Sequence, residues 1–217
     1  MRNIEQARFN MVEQQIRPWD VHDPKVLELL MKVKREHFVP ADGQALALMD
    51  LEIALGHGEV MWAPKIEARA VQALKLMHTD RVLEVGTGSG YVTALLAHLA
   101  AQVTSVELVP ELAQIAEQKM LSHHLKNVTV AVGNAAQGWA DQHYDAIVIT
   151  GSLPVKPVEL LQQLKVGGRL FVILGEGSAM KATLFTRVAE DAIDSVVLFE
   201  TSVAPLLKAS QPERFVF

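Results

Sequence analysis

Apolar residues along the chain change their spacing once, near residue 80, and the change separates two kinds of secondary structure. Upstream, Val26, Leu27, Leu30 and Val33 recur at helical intervals behind Asp23-Pro24, where an N-cap side chain precedes a proline suited to the first helical turn. Pro40 and Gly43 end that region. The stretch from Gly56 to Ala63 reads as a loop, and Pro64 opens another helix whose Ile66, Ala70, Val71 and Leu74 share one inward face. Residues 1–77 are therefore expected to form a helical N-terminal extension with a loop before its last helix.

From Arg81 onward, short apolar runs alternate with longer helical stretches, the pattern of β-α-β units and a mostly parallel sheet. Five strands are predicted at Val82 to Val85, Val103 to Val106, Val128 to Val132, Ala146 to Ile149 and Leu170 to Leu174. Helices are predicted at Tyr91 to Ala100, Pro110 to Leu121 and Pro157 to Leu164. Beyond Gly177, Ala182 to Val188 and Ser195 to Val203 look extended and would add strands at the sheet edge. The expected fold is α/β, a Rossmann-like doubly wound sheet over residues 78–217 packed as one unit with the N-terminal extension. Such sheets bind ligands at the carboxyl ends of their strands.

Composition narrows the partners. The chain has 217 residues, half of them apolar, enough for one domain with a sizeable core. With 25 acidic against 20 basic residues the net charge is -5, so no broad positive field exists to hold a phosphate backbone, and a nucleic-acid partner is not expected. No cysteine is present, which fits a reducing compartment and removes thiolate chemistry. The opening MRNIEQARFN is polar where a secretory signal would be apolar, and no run approaches the ~20 apolar residues of a membrane span. A cytoplasmic protein without a membrane partner is expected. The eight histidines are scattered, so no metal site is expected. Oligomeric state is not set by these features.

The most informative stretch is Glu84-Val-Gly-Thr-Gly-Ser-Gly-Tyr91, because it follows a predicted strand and opens a predicted helix. Its glycines allow a sharp turn and close backbone approach, and the free N–H groups of the helix favour an anionic group. A dinucleotide fingerprint would place its third glycine one residue later, where Tyr91 stands, which argues against a nicotinamide cofactor. Glu84 suits a ligand that carries positive charge better than a pyrophosphate. S-adenosyl-L-methionine is such a ligand, with an amino-acid end, a sulfonium, a ribose and no phosphate. Glu107, at the end of the second predicted strand, lies about 20 residues on, where a carboxylate commonly meets ribose hydroxyls.

At these residues the chain resembles the protein-L-isoaspartate O-methyltransferase family. The resemblance extends to Met11-Val-Glu-Gln-Gln-Ile16, Arg35-Glu-His-Phe-Val-Pro40, Gly56-His-Gly58, Val132-Gly-Asn-Ala135, Gly138-Trp139, Tyr144-Asp-Ala-Ile-Val-Ile-Thr150, Gln163 to Arg169 and Val203-Ala-Pro-Leu206. It implies methyl transfer from S-adenosyl-L-methionine to the α-carboxylate of an isoaspartyl residue in a damaged protein or peptide. It also implies cofactor contacts from Glu84, Gly86, Thr87, Gly88, Ser89, Gly90, Glu107, Leu108, Asn134, Ala135 and Thr150. A carboxylate acceptor with a pKa of ~4 is already ionised at neutral pH, so the absence of an evident general base is consistent with that reaction.

Where the family's substrate loop reads G-Q-T-I-S-Q-P, this chain has Gly58-Glu-Val-Met-Trp-Ala-Pro64. Trp62 thus stands at the catalytic-loop serine and Val60 at a second small hydroxyl position, which predicts a drier or differently shaped acceptor pocket. Glu59 would weaken binding of an anionic acceptor if it pointed inward. Asn134 stands where the family has an aspartate facing adenine, and its carbonyl oxygen can still accept a hydrogen bond. Isoaspartyl methylation is the first reading; methylation of another acceptor, or cofactor binding without repair, remains the alternative.

Overall fold

The structure is a computed structural model that describes residues 4–211. Its N-terminal segment begins with α1 (Ile4–Asn10), continues as a π-helical turn over Met11–Ile16, and reaches α2 (Pro24–Lys32). Asp23 caps α2 by accepting from the Lys25 N–H at 2.9 Å, with Pro24 in the first turn, and Val26, Leu27, Leu29 and Leu30 are buried. α3 (Pro64–Leu74) also starts on a proline and ends at Lys75, which adopts a left-handed conformation with φ 45°.

The stretch expected as a loop from Gly56 to Ala63 contains a β-hairpin instead, β1 (Ile53–Gly56) paired antiparallel with β2 (Glu59–Met61). His57 (φ 56°) and Gly58 (φ 81°) form its two-residue turn, and two consecutive positive φ values match the twist that tight hairpins require. Strands this short carry too little alternation to stand out from a loop.

The main sheet has seven strands in the order β5-β4-β3-β6-β7-β8-β9. They are β3 (Arg81–Val85), β4 (Gln102–Glu107), β5 (Val128–Val132), β6 (Tyr144–Leu153), β7 (Leu164–Leu174), β8 (Met180–Ala189) and β9 (Ala192–Thr201). The first five are parallel, and β8 and β9 extend one edge antiparallel, as the extended character beyond Gly177 suggests. Between them run α4 (Tyr91–Leu99), α5 (Pro110–Ser122) and α6 (Val158–Gln162). The predicted helix Pro157 to Leu164 is shorter because Leu164 already pairs with Tyr144 as the start of β7. β6 and β7 are longer than predicted, since their polar and glycine positions obtain hydrogen bonds from the neighbouring strand and need no hydrophobic signal of their own.

Both sheet faces are covered, so the central strands read as continuous apolar runs. Val82, Val148 and Phe171 join a core with the N-terminal segment, α2, α3 and α4, while Leu83, Ile149 and Val172 join a second core with Leu160 and Leu161 of α6. The N-terminal segment thus shares one core with the sheet.

Within that core, Arg35 is fully buried and every donor group it presents there has a protein partner. Its Nε donates to Glu67 Oε2 at 2.9 Å, Nη2 donates to the Trp62 carbonyl at 2.6 Å, and Nη1 donates to the Ala47 carbonyl. The pair therefore anchors the chain on either side of the hairpin to α3. Removing the guanidinium would leave a buried carboxylate and two carbonyls without partners. Arg35→Met is expected to lower stability by about 3–5 kcal/mol in urea denaturation, the range for breaking a buried ion pair.

Candidate active site

Strand order reverses at β3, which has β4 on one side and β6 on the other, and the chain leaves β3 through the glycine loop. A cavity of about 840 Å³, counting the part open to solvent, lies at the carboxyl ends of these strands. Gly86 turns the chain with φ +95°, and a Cβ there would stand 2.3 Å from Thr150 Oγ1, so no larger residue fits without displacing that hydroxyl. Thr150 Oγ1 donates to the Val85 carbonyl at 3.0 Å and to that of Gly86. Gly90 accepts the Ala94 N–H as α4 begins, and packs against Ala116 and Met120 of α5.

Glu107 is the electrostatic tie of the site. Its Oε2 accepts from the Gly88 N–H at 2.8 Å and its Oε1 from the Val109 N–H at 2.9 Å, so one carboxylate joins the loops after β3 and β4. Lys119 reinforces the glycine loop from α5, donating to the Ser89 carbonyl at 3.1 Å and the Phe38 carbonyl at 2.6 Å. Burial lowers the Lys119 pKa to about 8.

Gly86, Thr87, Gly88, Ser89, Glu107, Leu108, Asn134, Ala135 and Thr150 all line the cavity, as do Val60 and Trp62 on the hairpin side. Glu84 and Gly90 do not. Glu84 is wholly buried beneath the loop, where its Oε2 accepts from Thr93 Oγ1 and from Ser105 Oγ at 2.6 Å, while Oε1 has no partner among the described residues. Its side chain therefore supports the cradle from below, bound to Thr93 and Ser105, and is not among the cavity-lining residues. Burial raises its pKa to about 8 despite the two hydroxyl donors.

Trp62 is almost wholly buried, its ring edge-on to Phe171 with centroids 6.5 Å apart, and Arg35 holds its carbonyl. The indole lies in the cavity wall rather than across it. It and Val60 provide shape and dryness; neither can move a proton at neutral pH. Asn134 Oδ1 accepts from the Ala136 N–H at 3.0 Å, which shapes its own loop and leaves the oxygen a second lone pair.

Residues at the end of the chain's described part complete the wall. Ala204, Pro205, Leu206 and Leu207 line the cavity, held where Ser152 N donates to the Ala204 carbonyl (3.0 Å) and Leu206 N to the Ser152 carbonyl (2.9 Å). Gly151 admits this close approach, since a Cβ there would stand 2.8 Å from Leu206 N. The sequence marked Val203 to Leu206 only as a motif; Gly151 beside it was the available signal. Glu59 also lines the cavity, and its pKa is raised by burial and then by the nearby charge of Glu107.

A mostly parallel α/β sheet with a glycine loop at its switch point, a carboxylate ending the next strand and a second wall from a hairpin defines a doubly wound domain of the methyltransferase class. Residues 6–211 match the family model described as protein-L-isoaspartate(D-aspartate) O-methyltransferase. Among similar chains, the protein-L-isoaspartate O-methyltransferase of a Picosynechococcus strain is 41% identical over 169 residues, covering 77% of this chain and 76% of that one. Protein-L-isoaspartate O-methyltransferase 2 of Pelobacter propionicus is 38% identical over 211 residues, covering 96% of this chain and 94% of that relative. A crystal structure described as a protein-L-isoaspartate O-methyltransferase from Plasmodium falciparum, in complex with S-adenosyl-L-homocysteine, shares the fold. Its TM-score is 0.78 at 20% identity, over 96% of this chain and 100% of that one. The chain belongs to the protein-L-isoaspartate(D-aspartate) O-methyltransferase family.

The buried Glu84 makes stability depend on pH. Its folded pKa of about 8 lies above the reference value of 4.5, so the folded state holds a proton that the unfolded chain releases. The stabilisation is complete below the lower value and is lost as pH rises through the upper one. Between about pH 5 and pH 8, Glu84→Gln is expected to lose less thermal stability than the unsubstituted protein, as thermal melts across that range would record.

Proposed function

We infer that this protein transfers a methyl group from S-adenosyl-L-methionine to the α-carboxylate of isoaspartyl residues in proteins or peptides. The single observation that carries the cofactor half is the glycine loop tied by Gly88 N–H to Glu107 at the mouth of the β3 switch point. The cradle has the chemistry the cofactor needs: the positive end of α4, where Ser89 and Val92 line the cavity, for its carboxylate and a cavity-lining acceptor, Glu107, for its ribose hydroxyls. Asn134 and Ala135 would border adenine, and Thr150 fixes Gly86 beneath the amino-acid end. When bound, the cofactor supplies an activated methyl on a cationic sulfonium.

This chain's residues then have to position the two reactants and need not remove a proton. An α-carboxylate is ionised at neutral pH and attacks without a general base. Alignment of two reactants inside a dry pocket is worth several kcal/mol. Val60, Met61 and Trp62 form an apolar wall that excludes water, and the carbonyl of Trp62 is fixed by a buried guanidinium, so the wall keeps its place. In this reading residues 1–77 supply the acceptor side and residues 78–217 the cofactor side.

A cytoplasmic location belongs to the same reading, supported by a cysteine-free composition. Among the described residues no helix is long and apolar enough to cross a membrane. The acidic balance of the chain favours protein or peptide over nucleic acid as the acceptor.

Incubation with an isoaspartyl peptide and methyl-labelled cofactor is expected to label the peptide as a base-labile ester, with the aspartyl isomer as control. Equal labelling of both peptides, or of neither, would refute the acceptor assignment. Glu107→Ala is expected to weaken cofactor binding about 10- to 100-fold by calorimetry, the loss of charged hydrogen bonds to a ligand.

A further inference from the structure

The charge around the cavity is one-sided. Among the described residues three carboxylates line it, Glu59, Glu67 and Glu107, and no lysine, arginine or histidine does. Glu67 is neutralised by Arg35, and Glu107 is held by two backbone N–H groups. Glu59 has neither an ion pair nor a hydrogen bond among the described residues, although its half-buried carboxylate faces the same space as Glu107. It sits immediately after the hairpin turn, paired with Gly56. The hairpin leans over the glycine loop closely enough that a Cβ on Gly88 would stand 3.3 Å from Leu55 Cδ1. The hairpin therefore sets Glu59 in the cavity wall beside the glycine loop, near enough to Glu107 for the two charges to interact.

A pocket with uncompensated negative charge is poorly suited to an anionic acceptor unless something cationic occupies it first. The donor and its product differ in just this respect. S-adenosyl-L-methionine carries an ammonium, a carboxylate and a sulfonium, for a net charge of one positive; S-adenosyl-L-homocysteine has lost the sulfonium and is net neutral. An ionised carboxylate lining the same cavity attracts the net positive donor and gains no such attraction from the net neutral product.

Resting on the cofactor reading above, we propose that Glu59 is a specificity-determining residue that makes the site prefer the sulfonium donor over its thioether product. A consequence is that a carboxylate acceptor meets a compensated site when the donor is bound and a repulsive one when only product is present. Release of the spent cofactor and rejection of a fresh acceptor from the product complex then share one electrostatic cause.

Calorimetric titration of the full chain with each ligand tests this without any turnover. The ratio of the product Kd to the donor Kd is expected to fall about five-fold in Glu59→Gln, the scale of one charge-charge interaction in a partly hydrated pocket. Most of that change should come from weaker donor binding, and Glu59→Lys should lower the ratio further. Glu111→Gln, an exposed carboxylate on α5 outside the cavity, serves as the control for general surface charge. A ratio unchanged in both Glu59 variants would overturn the proposal while leaving the cofactor assignment intact. Failure of both ligands to bind the unsubstituted protein would overturn the assignment itself and this inference with it.

Discussion

The hydrogen bond from the Gly88 N–H to the Glu107 carboxylate is the interaction on which the site depends. A loop that must approach a ligand closely has no side chains with which to hold itself, so its conformation has to be imposed from neighbouring elements. Glu107 imposes it from β4, Thr150 from β6, and Lys119 from α5. Each comes from a different element, so the loop is ordered only once the sheet and its covering helices have assembled. Beneath it, Glu84 and the hydroxyls of Thr93, Ser105 and Thr87 form a buried polar layer. Among the described residues one oxygen of that layer, Glu84 Oε1, has no partner, and burial makes the carboxyl a proton holder near neutrality.

The acceptor side is built on a different principle. Arg35 and Glu67 bury opposite charges in an apolar core, which by itself offers little net stability. Its value is geometric, because the remaining guanidinium donors seize the carbonyls of Ala47 and Trp62 and fix the approach to and exit from the hairpin. The hairpin can then present Glu59, Val60 and Trp62 to the cavity without rigid strand neighbours of its own. Replacement of a small hydroxyl by Trp62 is accommodated because the indole finds Phe171 in the core behind it.

These two halves meet across a cavity whose charge is negative where its expected acceptor is negative as well. A positioning mechanism tolerates this only if the donor brings the compensating charge, since the reaction consumes that charge as the methyl leaves. On the role proposed for Glu59, the same event that neutralises the acceptor also removes the reason for the spent cofactor to stay.

Local signals were enough for much of this. The five parallel strands, the helices that start at Pro24, Pro64 and Pro110, and the glycine loop with Glu107 after it are legible because hydrophobic runs, N-caps and glycine spacing act over a few residues. Tertiary structure alone decided the rest. Only assembly could turn Gly56 to Ala63 into a hairpin, bury Glu84 under the loop instead of in the cavity, and bring Ala204 to Leu207 beside Gly151. The hairpin's strands pair locally but are too short to show alternation, whereas Leu206 lies far from Gly151 in sequence, and the direction of the Glu84 side chain is set by what packs against it, which no local pattern encodes.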